Sequence, residues 1–184
     1  MMTKKARVSK EEWMFSALEI LETNGVDAIR IDDLAARLHI SKSGFYWHFK
    51  NRNDLLVQIL DYWTKEYTEI VTKDFALQSI NSAERLKAAT EMIWEKDLGR
   101  YDLAIRLWGK YDPLARNAVK KVNKLRIDFT KKAFSELGFS GDELEMRANL
   151  YFCYVSMEKS VFGSMRKEKW KKLTNRRLKL LTSK

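Results

Sequence analysis

Along this chain apolar residues recur at helical spacing almost everywhere, and no stretch alternates with the period of two that a strand requires. Trp13, Ala17, Ile20 and Leu21 fall on one side of a first helix, which Ser9 and Glu12 open as a capping box and Asn24-Gly25 closes. Ile31, Leu34, Ala35 and Leu38 mark a short second helix. His39-Ile40 then bridges to Ser41, a good N-cap, leaving the turn of about three residues that a helix-turn-helix needs. From Ser41 to Asn51 the pattern changes: Phe45 and Phe49 share one face, while Lys42, Ser43, Tyr46, Trp47 and His48 are displayed on the others. A core helix would not spend its surface in that way.

The rest of the chain continues in helices. Asn51 can cap a long connecting helix carrying Leu55, Leu56, Ile59, Leu60, Trp63 and Tyr67 and reaching about Thr72. Asn81 or Ser82 opens another to about Leu98, and Tyr101 to Lys110 forms a shorter one. Asp112-Pro113 is a strong start signal for a helix ending at Gly138. Ser140 and Glu143 form a second capping-box pattern, opening a helix to about Phe162 that is apolar around most of its circumference and so requires packing on both faces. A last helix spans about Lys167 to Leu181. The fold class is therefore all-α, with an N-terminal three-helix helix-turn-helix head and a helical C-terminal domain, divided at 1–55 and 56–184.

Composition narrows the function. With 184 residues, 45% hydrophobic and 12% aromatic, the chain is a folded globular protein. One cysteine, Cys153, allows no internal disulfide and indicates a reducing, cytoplasmic setting. No signal peptide or membrane span is read, so no membrane partner is expected. The formal charge of +10 suggests a polyanion partner, but its distribution does not favour the head. Residues 1–55 carry net +1, 56–112 net −2 and 113–184 net +11. The basic element is the C-terminal segment, where Met165 to Lys184 holds nine basic residues against Glu168 alone. Lys4, Lys5 and Arg7 read as a solvated N-terminal arm. No phosphate loop, nucleophile motif or metal-spaced cluster occurs, so neither enzymatic activity, a cofactor nor a metal site is expected.

Positive DNA-binding signals concentrate in Ser41 to Asn51. A lysine can donate to guanine acceptors in the major groove and an indole can pack on a thymine methyl, which makes Lys42, Ser43 and Trp47 the base-reading candidates. Tyr46 and His48 offer donors at the groove rim, and Gly44 in the same segment is a further DNA-binding candidate. Lys50 and Arg52, at the start of the next helix, and Arg30, ahead of the second helix, are placed to grip phosphate.

Ser9 to about Tyr62 resembles the N-terminal domain of the TetR family of bacterial transcriptional regulators, in the order Asn24-Gly25, Asp33-Leu34-Ala35, Ile40-Ser41-Lys42, Phe45-Tyr46-Trp47-His48-Phe49-Lys50-Asn51 and Asp54-Leu55-Leu56. The resemblance implies a cytoplasmic homodimer whose heads enter successive major grooves, and an all-helical C-terminal domain that holds an effector and dimerises. Two positions depart from the family pattern: Gly44 stands where threonine is frequent, and Arg30 where a small hydroxyl residue is common. By the same resemblance, an effector pocket would be enclosed by helices carrying Trp63, Tyr67, Trp94, Tyr101, Trp108 and Tyr111, with Asp97, Arg106 and Lys110 as orienting charges and a flat apolar molecule as a suitable ligand. The dimer would form through the last two helices, with Leu150, Tyr151, Tyr154, Val155, Met157, Glu158, Val161 and Phe162 at the interface. The implied function is a ligand-responsive repressor on a palindromic double-stranded operator, released by a small-molecule effector. The alternative is a DNA-binding regulator without such an effector, acting as an activator or controlled by protein contact.

Overall fold

The computed structural model describes residues 8–184, so the Lys4, Lys5 and Arg7 arm lies outside the described residues. All regular structure among these residues is helical. The head comprises α1 (Lys10–Asn24), α2 (Ile31–Arg37) and α3 (Lys42–Tyr46), followed by α4 (Arg52–Thr64). Both halves of the first capping box form: the Glu12 amide donates to the Ser9 hydroxyl at 3.2 Å, and the Ser9 amide donates to the Glu12 carboxylate at 2.6 Å. Gly25 ends α1 at φ +83°, in the left-handed region that favours glycine. The Asn51 side chain accepts the Asp54 amide at 2.9 Å and caps α4.

The long connecting helix reaches Thr72, but not as one α-helix. After Thr64 the backbone passes through a π-helical turn, Lys65–Glu69, before α5 (Ile70–Thr72). Asp74 then caps α6 (Phe75–Gln78), a short helix that the apolar spacing does not reveal. There follow α7 (Ser82–Glu95), α8 (Asp102–Tyr111), α9 (Pro113–Glu136), α10 (Gly141–Phe162) and α11 (Lys167–Thr182). Asp112 caps α9 by accepting the Leu114 amide at 2.7 Å, with Pro113 in the first turn, as the sequence signal requires. The second expected capping box does not form. Ser140 makes no side-chain cap, and Glu143 is instead held by Arg147 one turn along at 2.6 Å.

One buried cluster joins the head to the rest of the chain. Trp13, Leu18, Leu34, Phe45 and Phe49 continue through Leu55, Ile59 and Trp63 into Tyr101, Ile105, Ala115 and Val122. The boundary at 55/56 thus falls inside α4, whose apolar side serves both parts. Two smaller clusters lie under α6, α7 and α10: Val71, Leu77, Ala89 and Leu98 in one, Leu86, Phe134, Ala148 and Tyr151 in the other.

At the centre of this packing sits a carboxylate. Asp102 is fully buried and accepts the Trp63 indole N–H at 3.0 Å and the Arg126 guanidinium through both oxygens. Arg126 also donates to the Thr68 hydroxyl at 3.0 Å and to the Tyr67 carbonyl at 3.2 Å, so one charge pair ties α4, the π-turn, α8 and α9 together. Removing the acid from such a pair leaves a buried cation uncompensated. Asp102→Ala is therefore expected to lower unfolding stability by about 3–5 kcal/mol, measured by urea denaturation; a loss no larger than that of an exposed ion pair would contradict this role.

Candidate nucleic-acid interface and effector cleft

The head fixes α3 from below and leaves its outer side open. Phe45 and Phe49 are buried, their rings 5.1 Å apart, and Trp13 of α1 meets Phe45 edge-on at 5.5 Å. With these anchors inside, Tyr46 and Trp47 are turned outward, Trp47 at 73% exposure. The helix itself is shorter than the Ser41–Asn51 segment: it ends at Tyr46, and the Phe49 amide closes the last turn on the Phe45 carbonyl at 3.0 Å. Ser41 does not cap through its side chain but shares a 2.7 Å hydrogen bond with the Ser43 hydroxyl. Lys42 is exposed and ion-paired with Asp32 of α2. In the turn before it, His39 adopts φ +53°, a conformation that histidine tolerates better than most side chains.

The remaining residues expected to face DNA divide into two groups. Arg30 and Lys50 have exposed side chains at the starts of α2 and α4. The Lys50 amide donates to Asp54 at 2.8 Å, and this bond, with one from Gln58, holds the Asp54 carboxyl below its usual range. Arg52 is different. Its Nε donates to the Ile29 carbonyl and its Nη2 to the Val26 carbonyl, each at 2.6 Å, so it braces the loop between α1 and α2 rather than reaching outward to phosphate. His48 is half-buried, with Nε2 3.0 Å from the Val8 carbonyl, and ties the start of the described chain to the head. Gly44 also belongs to the interior side. A Cβ there would lie 3.0 Å from Ile40 Cδ1 and 3.7 Å from Trp13 Cζ2, so a larger side chain would have to be accommodated against Ile40. Sequence spacing could not reveal these three roles, because each depends on neighbours that only the folded head brings together.

In the C-terminal part, a narrow cleft opens between the π-turn, α7, α9 and α10, with about 40 Å³ of enclosed space and about 480 Å³ when the open solvent at its mouth is counted. Val71, Ile93, Leu98, Phe129, Phe152 and Val155 supply apolar wall, and Tyr67, Thr68, Arg126, Thr130 and Ser156 supply polar groups. Of the residues expected to line an effector pocket, only Tyr67 does so here. Trp63, Tyr101 and Trp108 are buried in the core. The Trp108 indole donates to Asp112 at 2.9 Å, and Trp108 borders a separate groove between the end of α1 and α8. Trp94 stacks on Trp170 of α11 with centroids 4.5 Å apart. Arg106 stands behind the cleft wall, over the Phe152 ring at 5.7 Å from its centroid. Aromatics at helical spacing here serve packing first, and the cleft lies beside the π-turn, whose Tyr67 carbonyl accepts a hydrogen bond from Arg126.

The residues expected at a dimer interface also separate. Leu150, Val161 and Phe162 are exposed on α10 together with Met146, Phe162 at 74%. Tyr151 and Glu158 are buried within the protomer. The Tyr151 hydroxyl donates to the Leu86 carbonyl and meets Thr90, each at 2.9 Å, and burial pushes its phenol above the ordinary range. Glu158 accepts the Trp170 indole N–H at 3.0 Å and pairs with Arg177, joining α10 to α11. Tyr154, Val155 and Met157 are half-buried, Tyr154 within 2.9 Å of the Thr174 hydroxyl.

Residues 16–59 match the family model described as bacterial regulatory proteins, tetR family. The N-terminal domain is a TetR-family domain. A 51-residue segment is 39% identical to the class D tetracycline repressor protein of Escherichia coli, spanning 28% of this chain and 23% of that protein. The chain thus matches less than a quarter of the length of this curated relative. Its whole fold is shared more widely. A TetR transcriptional regulator from Legionella pneumophila superposes with a TM-score of 0.71 at 16% identity, over 98% of both chains. AibR, in a complex with isovaleryl coenzyme A and operator DNA, superposes with 0.69 at 17% identity, over 94% of this chain and 97% of its own. The TetR-type head and the helical C-terminal fold therefore occur here in one chain, and the family model matches residues 16–59 of it.

The braced arginine and the packed glycine lead to a joint expectation. Arg52→Met should lower stability by about 2–3 kcal/mol, because two carbonyls lose a charged donor, and should leave the salt dependence of DNA binding unchanged. Gly44→Val should destabilise the head by about 1–3 kcal/mol through overpacking against Ile40. Chemical denaturation read beside a salt titration of binding checks both; a reduced salt slope for Arg52→Met would return that residue to the phosphate contacts.

Proposed function

We propose that this chain is a DNA-binding transcriptional regulator that represses from a palindromic operator as a homodimer and is released by a small-molecule effector bound in the C-terminal cleft. The observation that carries the reading is the α3 platform: Phe45 and Phe49 anchor it in the core, and Tyr46 and Trp47 stand exposed on it beside Lys42 and Ser43. Such an arrangement suits an element laid in a major groove, with Lys42, Ser43 and Trp47 on base edges and Arg30, Tyr46 and Lys50 around them on the backbone.

The dimer is supported by the outer face of α10. Met146, Leu150, Cys153, Met157 and Val161 follow one another at intervals of four and three residues, the spacing of a helix seam, and four of the five are exposed in the single chain. Two half-sites about one DNA turn apart need two heads, and an isologous pairing of α10 with its symmetry mate supplies them. The effector reading is supported by the cleft's position. Tyr67 in its wall meets Tyr101 with ring centroids 5.4 Å apart, and Arg100 lies over Tyr101 at 5.0 Å. Arg100 in turn pairs with Glu22 of α1 at 2.8 Å, while the neighbouring Glu19 holds Arg37 of α2 at 2.7 Å. A ligand that shifts the π-turn or α8 would therefore act on the head through a short chain of contacts, favouring a head separation that no longer fits two grooves. AibR, of the same fold, carries both isovaleryl coenzyme A and operator DNA in one crystal.

Fluorescence anisotropy on a palindromic operator and on random DNA, at fixed salt, tests this function. Trp47→Ala should cut discrimination between the two by about ten- to a hundredfold; an unchanged ratio would remove Trp47 from base readout. Lys50→Ala should weaken binding to both DNAs alike and reduce the salt slope by about 1. Sedimentation of the DNA-free protein at micromolar concentration is expected to give a dimer, and a monomer there would contradict the α10 pairing.

A further inference from the structure

Asp102 is shared between two guanidinium groups but bonded by only one. Both of its oxygens are taken by Arg126, and one also by Trp63. Arg106 approaches it no closer than 3.9 Å, beyond hydrogen-bond reach, and the Arg106 Nε and Nη2 atoms are buried with no hydrogen-bond partner. The cluster thus holds two cations against one anion in a largely water-excluded site. Burial lowers the Arg106 pKa, opposed by Asp102 and reinforced by Arg126. Buried polar groups are ordinarily satisfied, and a buried charge without a counter-ion is among the costliest arrangements a fold can hold.

The surplus charge borders the cleft. Arg126 forms part of its wall and commits four hydrogen bonds, to Thr68, Tyr67 and Asp102, which leaves one Nη1 hydrogen of its five donors. Arg106 lies directly behind Phe152, another wall residue. Much of the remaining lining of the same cleft is apolar, including Val71, Ile93, Phe129 and Val155. We propose that the cleft binds an amphipathic carboxylate, whose anionic head neutralises the excess charge of the Asp102–Arg106–Arg126 cluster and whose apolar body lies against Val71, Ile93, Phe129 and Val155. This replaces the flat apolar effector suggested by the supply of aromatics, and it rests on reading the cleft as the effector site. Arg106 is a positioning charge, acting through the field at the wall and not through contact with the ligand.

Calorimetric titration of the full chain with decanoate, decanol and decyltrimethylammonium separates charge from hydrophobic length. Decanoate is expected to bind saturably, one per chain, and about ten- to a hundredfold tighter than either comparison compound. Arg106→Lys should keep that preference, whereas Arg106→Gln and Arg106→Met should reduce it by about tenfold. The melting temperatures of the Gln and Met variants should equal or exceed that of the parent, because an uncompensated buried charge is removed; a residue with only a structural role would lower them. Absence of decanoate binding, equal binding of the alcohol or the quaternary amine, or an intact preference in Arg106→Met would each overturn the proposal. Operator release by decanoate is scored separately by anisotropy: binding with charge preference but without release sustains the carboxylate site and sinks the effector reading.

Discussion

The junction of α4, the π-turn, α8 and α9 is organised around one buried negative charge. Asp102 begins α8 and has no exposed surface, so its ionised form must be balanced from within. Arg126 from the middle of α9 supplies the counter-charge, and Trp63 from α4 fills the remaining acceptor direction. Three helices distant in sequence are thereby fixed in register by a group that cannot be satisfied in any other arrangement. A second consequence follows from the same economy of acids. With one carboxylate for two arginines, Arg106 is left with two buried, unbonded nitrogens.

The interaction also sits at the mechanical junction of the molecule. The residue before Asp102 is Tyr101, whose ring packs against Tyr67 of the cleft, and the residue before that is Arg100, which reaches Glu22 and approaches Glu19 on α1. Glu19 in turn holds Arg37 at the end of α2. Three consecutive residues therefore contact the head, the cleft-wall residue Tyr67 and the central charge pair respectively. The two parts also share a continuous apolar cluster, so a displacement of α8 cannot be absorbed in a loose hinge and must be passed to α1 or α4.

Legibility of this structure from sequence depended on range. Ser9 with Glu12, Asn24-Gly25, Asn51 and Asp112-Pro113 act within one turn of backbone, and each is read directly because the partner is three or four residues away. The same local rule failed at Ser140 and Glu143, where Arg147 competes for the carboxylate. The helix-turn-helix and its outward residues were legible because Phe45 and Phe49 must go inside and so force Tyr46 and Trp47 out. Arg52, His48 and Gly44 were not, since the carbonyls of Val26, Ile29 and Val8 and the Ile40 side chain become their neighbours only on folding. The cleft was legible only in outline. Trp63, Tyr101 and Trp108 have the composition of a pocket wall, yet indole and phenol rings fill a core equally well, and all three are buried.

Charge placement in the head has a consequence for how DNA would be held. Among its described cations, Arg37 is paired with Glu19, Lys42 with Asp32, and Arg52 with two carbonyls, while Lys10 lies over the Phe49 ring at 5.7 Å. Arg30 and Lys50 carry the exposed charge at the starts of α2 and α4. A head so internally compensated offers few phosphate contacts, and affinity that scales with the number of neutralised phosphates must then be modest per head and only weakly dependent on salt. Discrimination falls by default to contacts that charge does not supply, chiefly the exposed indole of Trp47 and the hydroxyls beside it. In the proposed homodimer this scarcity is offset, because doubling a small number of contacts across a twofold axis lets a nearly neutral reading head hold its site.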